Sequence, residues 1–175
     1  MNTDKSAPSL LLSGGNEPFD FKHDLLTTPL RWRGDDISKL PKRTGEVPTG
    51  YNAAPEFRIF RKEVHSVGYL SYGPYYEVQS PSELRKLFIL CAVDNLGRSD
   101  ELIAKFDLVD AGNGGKDIVG PVEVKVGDLH GIRVFGIYLP RPVGLNQGMN
   151  VECRIYAHGG ADLYFLQMYW DISGM

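Results

Sequence analysis

Histidine and cysteine side chains often carry catalysis or metal binding, and their spacing in the chain decides which chemistry is open to them. The four histidines are His23, His65, His130 and His158. No two of them have the close spacing of zinc-binding motifs, and neither cysteine has a second cysteine nearby. The pattern therefore argues against a structural metal site.

The two cysteines are predicted to be buried free thiols. Cys91 lies in a helical pattern, and Cys153 alternates with the apolar residues of a strand pattern. Free thiols fit a reducing compartment. Cys153 and His158 would form a nucleophile and a base if the fold brought them together, but the alternation favours a core position for Cys153. No catalytic, cofactor-binding or metal-binding residue is therefore predicted, and we expect the protein not to be an enzyme.

A glycine-rich loop from Asp110 to Asp117 has two chemical interpretations. A phosphate-binding loop needs glycine at position 110 and Ser or Thr at position 117, and both positions are Asp. A calcium turn could use the oxygen atoms of Asp110, Asn113 and Asp117. Hairpin loops rich in glycine and asparagine have the same composition, so a plain loop is favoured.

One stretch of the chain concentrates positive charge around a tryptophan. Between Leu30 and Arg43 the basic residues outnumber the acidic ones. Cations beside a tryptophan suit contact with an anionic lipid surface, at about 1 kcal/mol per basic residue near the membrane. The alternative is that Trp32 packs on the body of the protein while the charges are solvated. The predicted lipid or partner contacts are Arg31, Trp32, Arg33, Lys39, Lys42 and Arg43.

This basic stretch belongs to the first of two unlike parts of the chain. Residues 1–56 hold six of the eleven prolines, and each proline removes a backbone donor and disfavours helix in the preceding residue. They are predicted to form an extended or partly disordered N-terminal arm. Residues 57–175 are predicted to form a compact domain. The net charge of −3 argues against nucleic-acid binding through bulk charge.

The compact domain is predicted to be α+β. Ser80-Pro81-Ser82-Glu83 has the residues of a helix start, which predicts one packed helix over about 82–95 that ends near Gly97. Later segments predict an antiparallel sheet of at least five strands, which the helix covers on one face; most alternate with period two, and two that are nearly apolar on both faces are expected to be central. The predicted strands include residues 104–109, 121–126, 132–139, 151–157 and 163–170.

The layout of the chain resembles that of rhabdovirus matrix proteins, in particular the short ones of plant cytorhabdoviruses. A proline-containing arm precedes a helix-like segment, Ser82–Val93, and the late strands include Ile137-Tyr138-Leu139-Pro140-Arg141 and Val151–Trp170. The resemblance implies self-association through the arm, contact with nucleoprotein and with the inner face of an anionic membrane, and a role in virion assembly and budding. It also implies location in the virion and in the host cytoplasm.

The sequence thus predicts a non-enzymatic structural protein of the matrix kind that self-associates into a homo-oligomer through its N-terminal arm. One alternative is a β-sandwich module that binds carbohydrate or peptide through exposed Tyr72, Tyr75 and Tyr76. Another is a capsid-like protein that forms closed shells. We expect no cofactor and no direct sequence-specific binding of nucleic acid. The start of the chain lacks the features of a signal peptide, and no apolar run reaches the length of a membrane span, so a cytoplasmic location is otherwise expected.

Overall fold

Antiparallel strands make up most of the described protein. The computed structural model describes residues 7–12, 31–32, 41–46, 58–80, 84–140 and 142–172. Their strands are β1 (Ser9–Leu12), β2 (Arg31–Trp32), β3 (Arg58–Phe60), β4 (Gly68–Glu77), β5 (Leu84–Asp94), β6 (Leu102–Asp110), β7 (Lys116–Lys125), β8 (Val134–Leu139), β9 (Asn150–Ala157) and β10 (Asp162–Ile172). The helical elements of this described part are two short 3-10 helices, Ala111–Asn113 and Val126–Leu129.

The strands form two antiparallel sheets. Sheet A has the order β1-β8-β5-β10-β2, and β3 also pairs with β10. Sheet B has the order β4-β9-β6-β7. From β3 onward the two orders are β3-β10-β5-β8 and β4-β9-β6-β7, which is the connectivity of an eight-stranded jelly roll. The fold is therefore an antiparallel β-sandwich.

The hydrophobic core lies between the inner faces of the two sheets. Phe106 of sheet B meets Phe135 of sheet A edge to face, with ring centroids 6.3 Å apart. In β9 the alternate residues Val151, Cys153 and Ile155 are buried, as their spacing predicted. Because both sheets contribute alternate residues to one core, each sheet has a second face that points away from this core.

The predicted helix over about 82–95 is wrong, because Leu84–Asp94 is the strand β5. It pairs with β10 on one side and with β8 on the other. Leu87, Ile89 and Cys91 join the main core, whereas Phe88 packs with Leu11 on the opposite face. A strand that is buried on both faces is apolar without alternation, and such a run also satisfies helical spacing. The expected start at Ser82-Glu83 lies outside the described residues.

The antiparallel sheet of at least five strands is confirmed. The five later segments that were predicted as strands correspond to β6, β7, β8, β9 and β10. Lys105, Glu123 and Arg154 give β6, β7 and β9 a polar face, whereas β8 is apolar and central, with β1 on one side and β5 on the other. The coarse prediction of an antiparallel β-rich body therefore holds, but the described residues form an all-β structure and not an α+β one.

The described parts of residues 1–56 lie against the body. β1 pairs with β8 at one edge of sheet A, and β2 pairs with β10. The segment Pro41–Glu46 joins the two sheets. Glu46 and Ile59 of β3 exchange two backbone hydrogen bonds of 2.8 and 2.9 Å, and the backbone N–H groups of Arg43 and Thr44 donate to the carbonyl of Tyr69 in β4. We call Pro41–Glu46 the strap. An arm that is extended away from the body is not confirmed.

A buried arginine connects the strap to the body. The side chain of Arg58 is 1% exposed, and its Nη1 donates to the carbonyl oxygens of Leu70 at 3.1 Å and Pro41 at 3.4 Å. Burial lowers the pKa of the Arg58 guanidinium to about 10. The strap therefore supplies a carbonyl to a buried cation, which makes it part of the folded domain.

Candidate functional site

The outer face of sheet B carries three tyrosines from β4. Tyr69, Tyr72 and Tyr75 are three residues apart, and a regular strand would place them on alternating faces. Register shifts in the pairing with β9, between Tyr69 and Ser71 and between Tyr72 and Tyr75, bring all three to the outer face. Tyr76 packs against the core instead.

Tyr69 begins a row of side chains that crosses all four strands. It pairs with Tyr156 of β9, which pairs with Lys105 of β6, which pairs with Glu123 of β7. The rings of Tyr69 and Tyr156 meet edge to face at 4.8 Å, and the ring of His158 lies 4.8 Å from that of Tyr156. Lys105 Nζ is 3.2 Å from Glu123 Oε1. The row thus runs from aromatic rings to an ion pair.

The second row contains a bidentate ion pair. Tyr72 pairs with Arg154, which pairs with Asp107. Arg154 Nε and Nη2 donate to the two carboxylate oxygens of Asp107 at 2.9 and 2.7 Å, and these hydrogen bonds raise the pKa of Arg154. The guanidinium also lies 5.5 Å above the ring of Tyr69, and that of Arg43 lies 5.8 Å above Tyr72. Arg154 is therefore fixed from two sides.

The third row ends the face. Tyr75 pairs with Glu152, which pairs with Val109, which pairs with Asp117. Burial raises the pKa of the Glu152 carboxyl, while the charge of Arg154 and a hydrogen bond with Tyr75 oppose that rise. Tyr75 is 51% exposed. This row has less enclosure than the first two rows.

A groove of about 450 Å³ lies mainly over the first two rows. We call it the tyrosine groove. Its lining residues are Tyr69, Lys105, Asp107, Asp117, Pro121, Arg154, Tyr156 and His158. Two of these side chains are cations and two are carboxylates, so the formal charges of the lining cancel when His158 is neutral.

His158 gives the groove a polar atom without a protein partner. Its Nε2 is buried and makes no hydrogen bond within the described residues. Burial, assisted by the charge of Lys105, lowers the pKa of the imidazole, so the ring is neutral near neutral pH. The hydroxyl groups of Tyr69 and Tyr156 also form no hydrogen bond with the described part of the chain. The groove therefore combines aromatic rings with polar atoms that remain available to a ligand.

The cysteines and Asp110, which were considered for thiol and calcium chemistry, are held within the fold by burial or by hydrogen bonds to the backbone. Cys91 and Cys153 are free and buried, which confirms that prediction, and burial raises the pKa of both thiols. Asp110 accepts hydrogen bonds from the backbone N–H groups of Gly112 at 3.2 Å and Asn150 at 3.4 Å. Among the described residues, no three His, Cys, Asp or Glu side chains are grouped as metal ligands.

Two of the predicted contact residues form a strand at the edge of sheet A. Arg31 and Trp32 are β2, and they pair through the backbone with Tyr169 and Met168 of β10. Arg33 and Lys39, which belong to the same predicted set, lie outside the described residues. The backbone pairing shows where this part of the basic stretch lies on the body.

Lys42 and Arg43 lie in the strap, beside β4. Both are exposed. Lys42 Nζ donates to the carbonyl of Gly45 at 2.9 Å, and Arg43 lies over Tyr72 at the border of the outer face of sheet B. The four described members of the predicted set therefore fall at two places, and Arg43 belongs to the outer face of sheet B.

The sequence interpretation overlooked the central residues of the groove. Arg154 and Tyr156 alternate with the core residues of β9, and Asp107 alternates with those of β6. The alternation itself signals that they share an outer face. The sequence pattern alone does not give the register between the strands, which pairs Asp107 with Arg154 and Tyr69 with Tyr156.

The topology defines this chain as an antiparallel jelly roll with a polar aromatic groove on one outer face. No protein-family model matches the chain, and no curated protein or solved structure matches it significantly. Within the described residues, no helix is long and apolar enough to cross a membrane.

Proposed function

We propose that the protein is a non-enzymatic structural protein that assembles with copies of itself through its N-terminal segment, in the manner of viral matrix and coat proteins. The observation that carries the proposal is β1, a four-residue strand that adds to the edge of sheet A by pairing with β8. Jelly rolls occur in viral coats but also in lectins and cupins, so the fold supports the proposal without being sufficient for it.

The edge of β8 has the properties of an acceptor site. Leu11 of β1 is buried against Phe88 in a small apolar cluster on the outer face of sheet A, with Leu90 and Tyr138 packed around them. Leu10 packs against the main core. A fully buried leucine contributes about 1.5–3 kcal/mol, so a strand this short still binds with useful energy. Added strands also satisfy the backbone groups of an exposed edge.

The length of the chain permits β1 to come from a neighbouring copy. β1 and β2 lie at opposite edges of sheet A, with β8, β5 and β10 between them. At roughly 4.8 Å per strand spacing this separation is about 19 Å. Residues 13–30 join the two strands and reach about 60 Å when fully extended. Reciprocal exchange of β1 would close a dimer, whereas head-to-tail donation would build rings or open arrays.

Disulfide trapping tests this assembly. Ser9 of β1 and Tyr138 of β8 are partners across the strands, and both native cysteines are buried. Ser9→Cys and Tyr138→Cys are made in separate chains of different size, refolded together and oxidised. We expect a mixed disulfide dimer, because donor and acceptor strands come from different copies. If the disulfide forms only in the double variant, within one chain, the proposal fails.

A control pair and an assembly assay complete the test. Lys105 and Glu123 are partners in adjacent strands joined by a short loop, so mixed Lys105→Cys and Glu123→Cys chains should give no specific mixed dimer. In the full-length protein, Leu11→Asp should abolish the concentration-dependent rise in light scattering. Val64→Asp, at a position that is 70% exposed, should leave it unchanged. Electron microscopy then distinguishes closed capsid-like shells from matrix-like sheets.

Contact with an anionic membrane or with nucleoprotein is part of the same proposal. The exposed cations Lys42 and Arg43 support it. Lys42→Glu/Arg43→Glu should reduce flotation with vesicles that contain phosphatidylserine, whereas Lys116→Glu/Lys125→Glu, which makes the same change in net charge, should not. Equal loss in both variants would show a dependence on net charge alone and would remove the strap from the proposal.

A further inference from the structure

We propose that the tyrosine groove binds a neutral saccharide. The groove is independent of β1 and of the strap's lysine, so this binding does not depend on the assembly proposed above. It is a concave site on the outer face of sheet B, with a volume within the range of about 300–1,000 Å³ that is typical of small-molecule sites.

The charge distribution favours an uncharged ligand. Arg154 is held by both carboxylate oxygens of Asp107, and Lys105 is paired with Glu123. The remaining charged lining residue is Asp117, so both cations of the lining are already paired and the one carboxylate left over is that of Asp117. A phosphate or a nucleic acid would meet no uncompensated cation here, and a polycation would meet no dense acidic cluster. The paired charges can still accept or donate hydrogen bonds to hydroxyl groups.

The available polar atoms match hydroxyl groups. The hydroxyls of Tyr69 and Tyr156 and the buried Nε2 of His158 have no hydrogen-bond partner in the described residues. A buried polar atom without a partner is destabilising, so a ligand that supplies a hydrogen-bond partner at this point gains affinity. A sugar ring offers both donors and acceptors, and its C–H faces pack on aromatic rings. The contacts between Tyr69, Tyr156 and His158 place these groups along one wall of the groove.

The position of the groove on the sheet disfavours an extended peptide. Its floor comes from β9 and β6, which have a neighbouring strand on both sides. Their backbone groups are used in the sheet, so a peptide strand would find no edge to extend. Recognition must come from side chains, which suits a compact ligand.

The test uses the full-length protein on an array of neutral and charged glycans. The neutral hits, prepared as methyl glycosides or short oligosaccharides, are then measured by saturation-transfer NMR and calorimetry. We expect binding of neutral glycans and no preference for sulfated or sialylated ones. Absence of binding to any neutral glycan, or binding of charged glycans only, overturns the proposal.

Three variants locate the binding. Tyr156→Ala should weaken it by about tenfold, because the ring that packs on the sugar and the hydroxyl are both lost. Tyr156→Phe keeps the ring and should weaken binding several-fold, which keeps the test valid if the alanine variant does not fold. Tyr75→Ala is the matched control on the same face but outside the groove, and it should change the affinity less than twofold. Equal effects of Tyr156→Phe and Tyr75→Ala would overturn the assignment.

Discussion

Replacement of Gly45 by alanine tests whether the strap is part of the folded domain. Gly45 is buried between β3 and β4 and has a φ of +80°. A Cβ at this position would overlap Leu70 Cδ1 and would lie 2.7 Å from the carbonyl oxygen of Ile59. The oxygen belongs to the backbone of β3 and cannot move aside without disturbing its pairing with β10.

The expected loss of stability has two parts. A residue with a Cβ in the left-handed region costs roughly 1–2 kcal/mol. Forcing an extra carbon into a packed site typically costs a further 1–3 kcal/mol. Together these give about 2–5 kcal/mol, and at roughly 2–4 °C per kcal/mol for a chain of this size Tm should fall by about 4–20 °C.

Thermal and denaturant unfolding of the full-length variants measures this loss, with Gly144→Ala as the control. Gly144 has a similar φ of +75°, but a Cβ there meets no atom within 4 Å. Gly144→Ala should therefore cost only the conformational part, about 1–2 kcal/mol. If Gly45→Ala is no more destabilising than Gly144→Ala, the strap does not pack between β3 and β4, and the reasoning is refuted.

Three further predictions concern the core and the groove. Phe135→Ala should destabilise the protein by about 3–5 kcal/mol in denaturant unfolding, because it removes the ring that meets Phe106 across the core. Cys91 and Cys153 should react with a thiol reagent only when the protein is unfolded, since both are buried and have raised pKa values. Burial lowers the pKa of His158, so as the pH falls the unfolded chain binds a proton at a higher pH than the folded protein does. The free energy of unfolding should therefore decrease as the pH drops below about 6.5. This decrease should be smaller in His158→Gln, and an equal decrease in both proteins would contradict the assignment.

Three of the strands that were predicted correctly share one physical property. β6, β7 and β9 have one face in the core and one face toward solvent, so Lys105, Glu123 and Arg154 alternate with apolar residues. A strand with solvent on one face has polar and apolar residues at alternate positions, which gives its sequence a period of two. The local sequence pattern is sufficient to predict such strands, because the polarity of each residue indicates whether it faces the core or the solvent.

β5 lacks that property, and it also follows an apparent helix start, so it was predicted wrongly. β1 and the cluster around Phe88 cover its outer face, while Ile89 and Cys91 fill its inner face. With no polar face to set a period, the apolar run also fitted a helix, and the apparent start signal around Ser80 then decided the prediction. The information that determines β5 lies in β8 and β10, far along the chain.

The sequence could not predict that three tyrosines of β4 share the outer face of sheet B, for a related reason. Tyr69, Tyr72 and Tyr75 share a face only because the pairing with β9 shifts register twice. A bulge depends on the partner strand, so spacing within β4 alone predicts the wrong faces. The exposure of Tyr75 was predicted, whereas Tyr72 is half-buried, Tyr76 packs against the core and Tyr69 was not identified.

The proline-rich composition of residues 1–56 also needs a narrower interpretation. Proline excludes helix and interrupts ladders, but it is compatible with short edge strands and with carbonyl acceptors. Pro41 shows this directly, because its carbonyl accepts hydrogen bonds from the backbone N–H of Tyr72 and from buried Arg58. The N-terminal segment therefore contributes pieces at the edges of both sheets, which is where assembly of β-sandwiches is controlled. On this basis a truncation meant to leave an intact monomeric body should end before Pro41, because removal of the strap would expose the acceptor edges and the buried cation together.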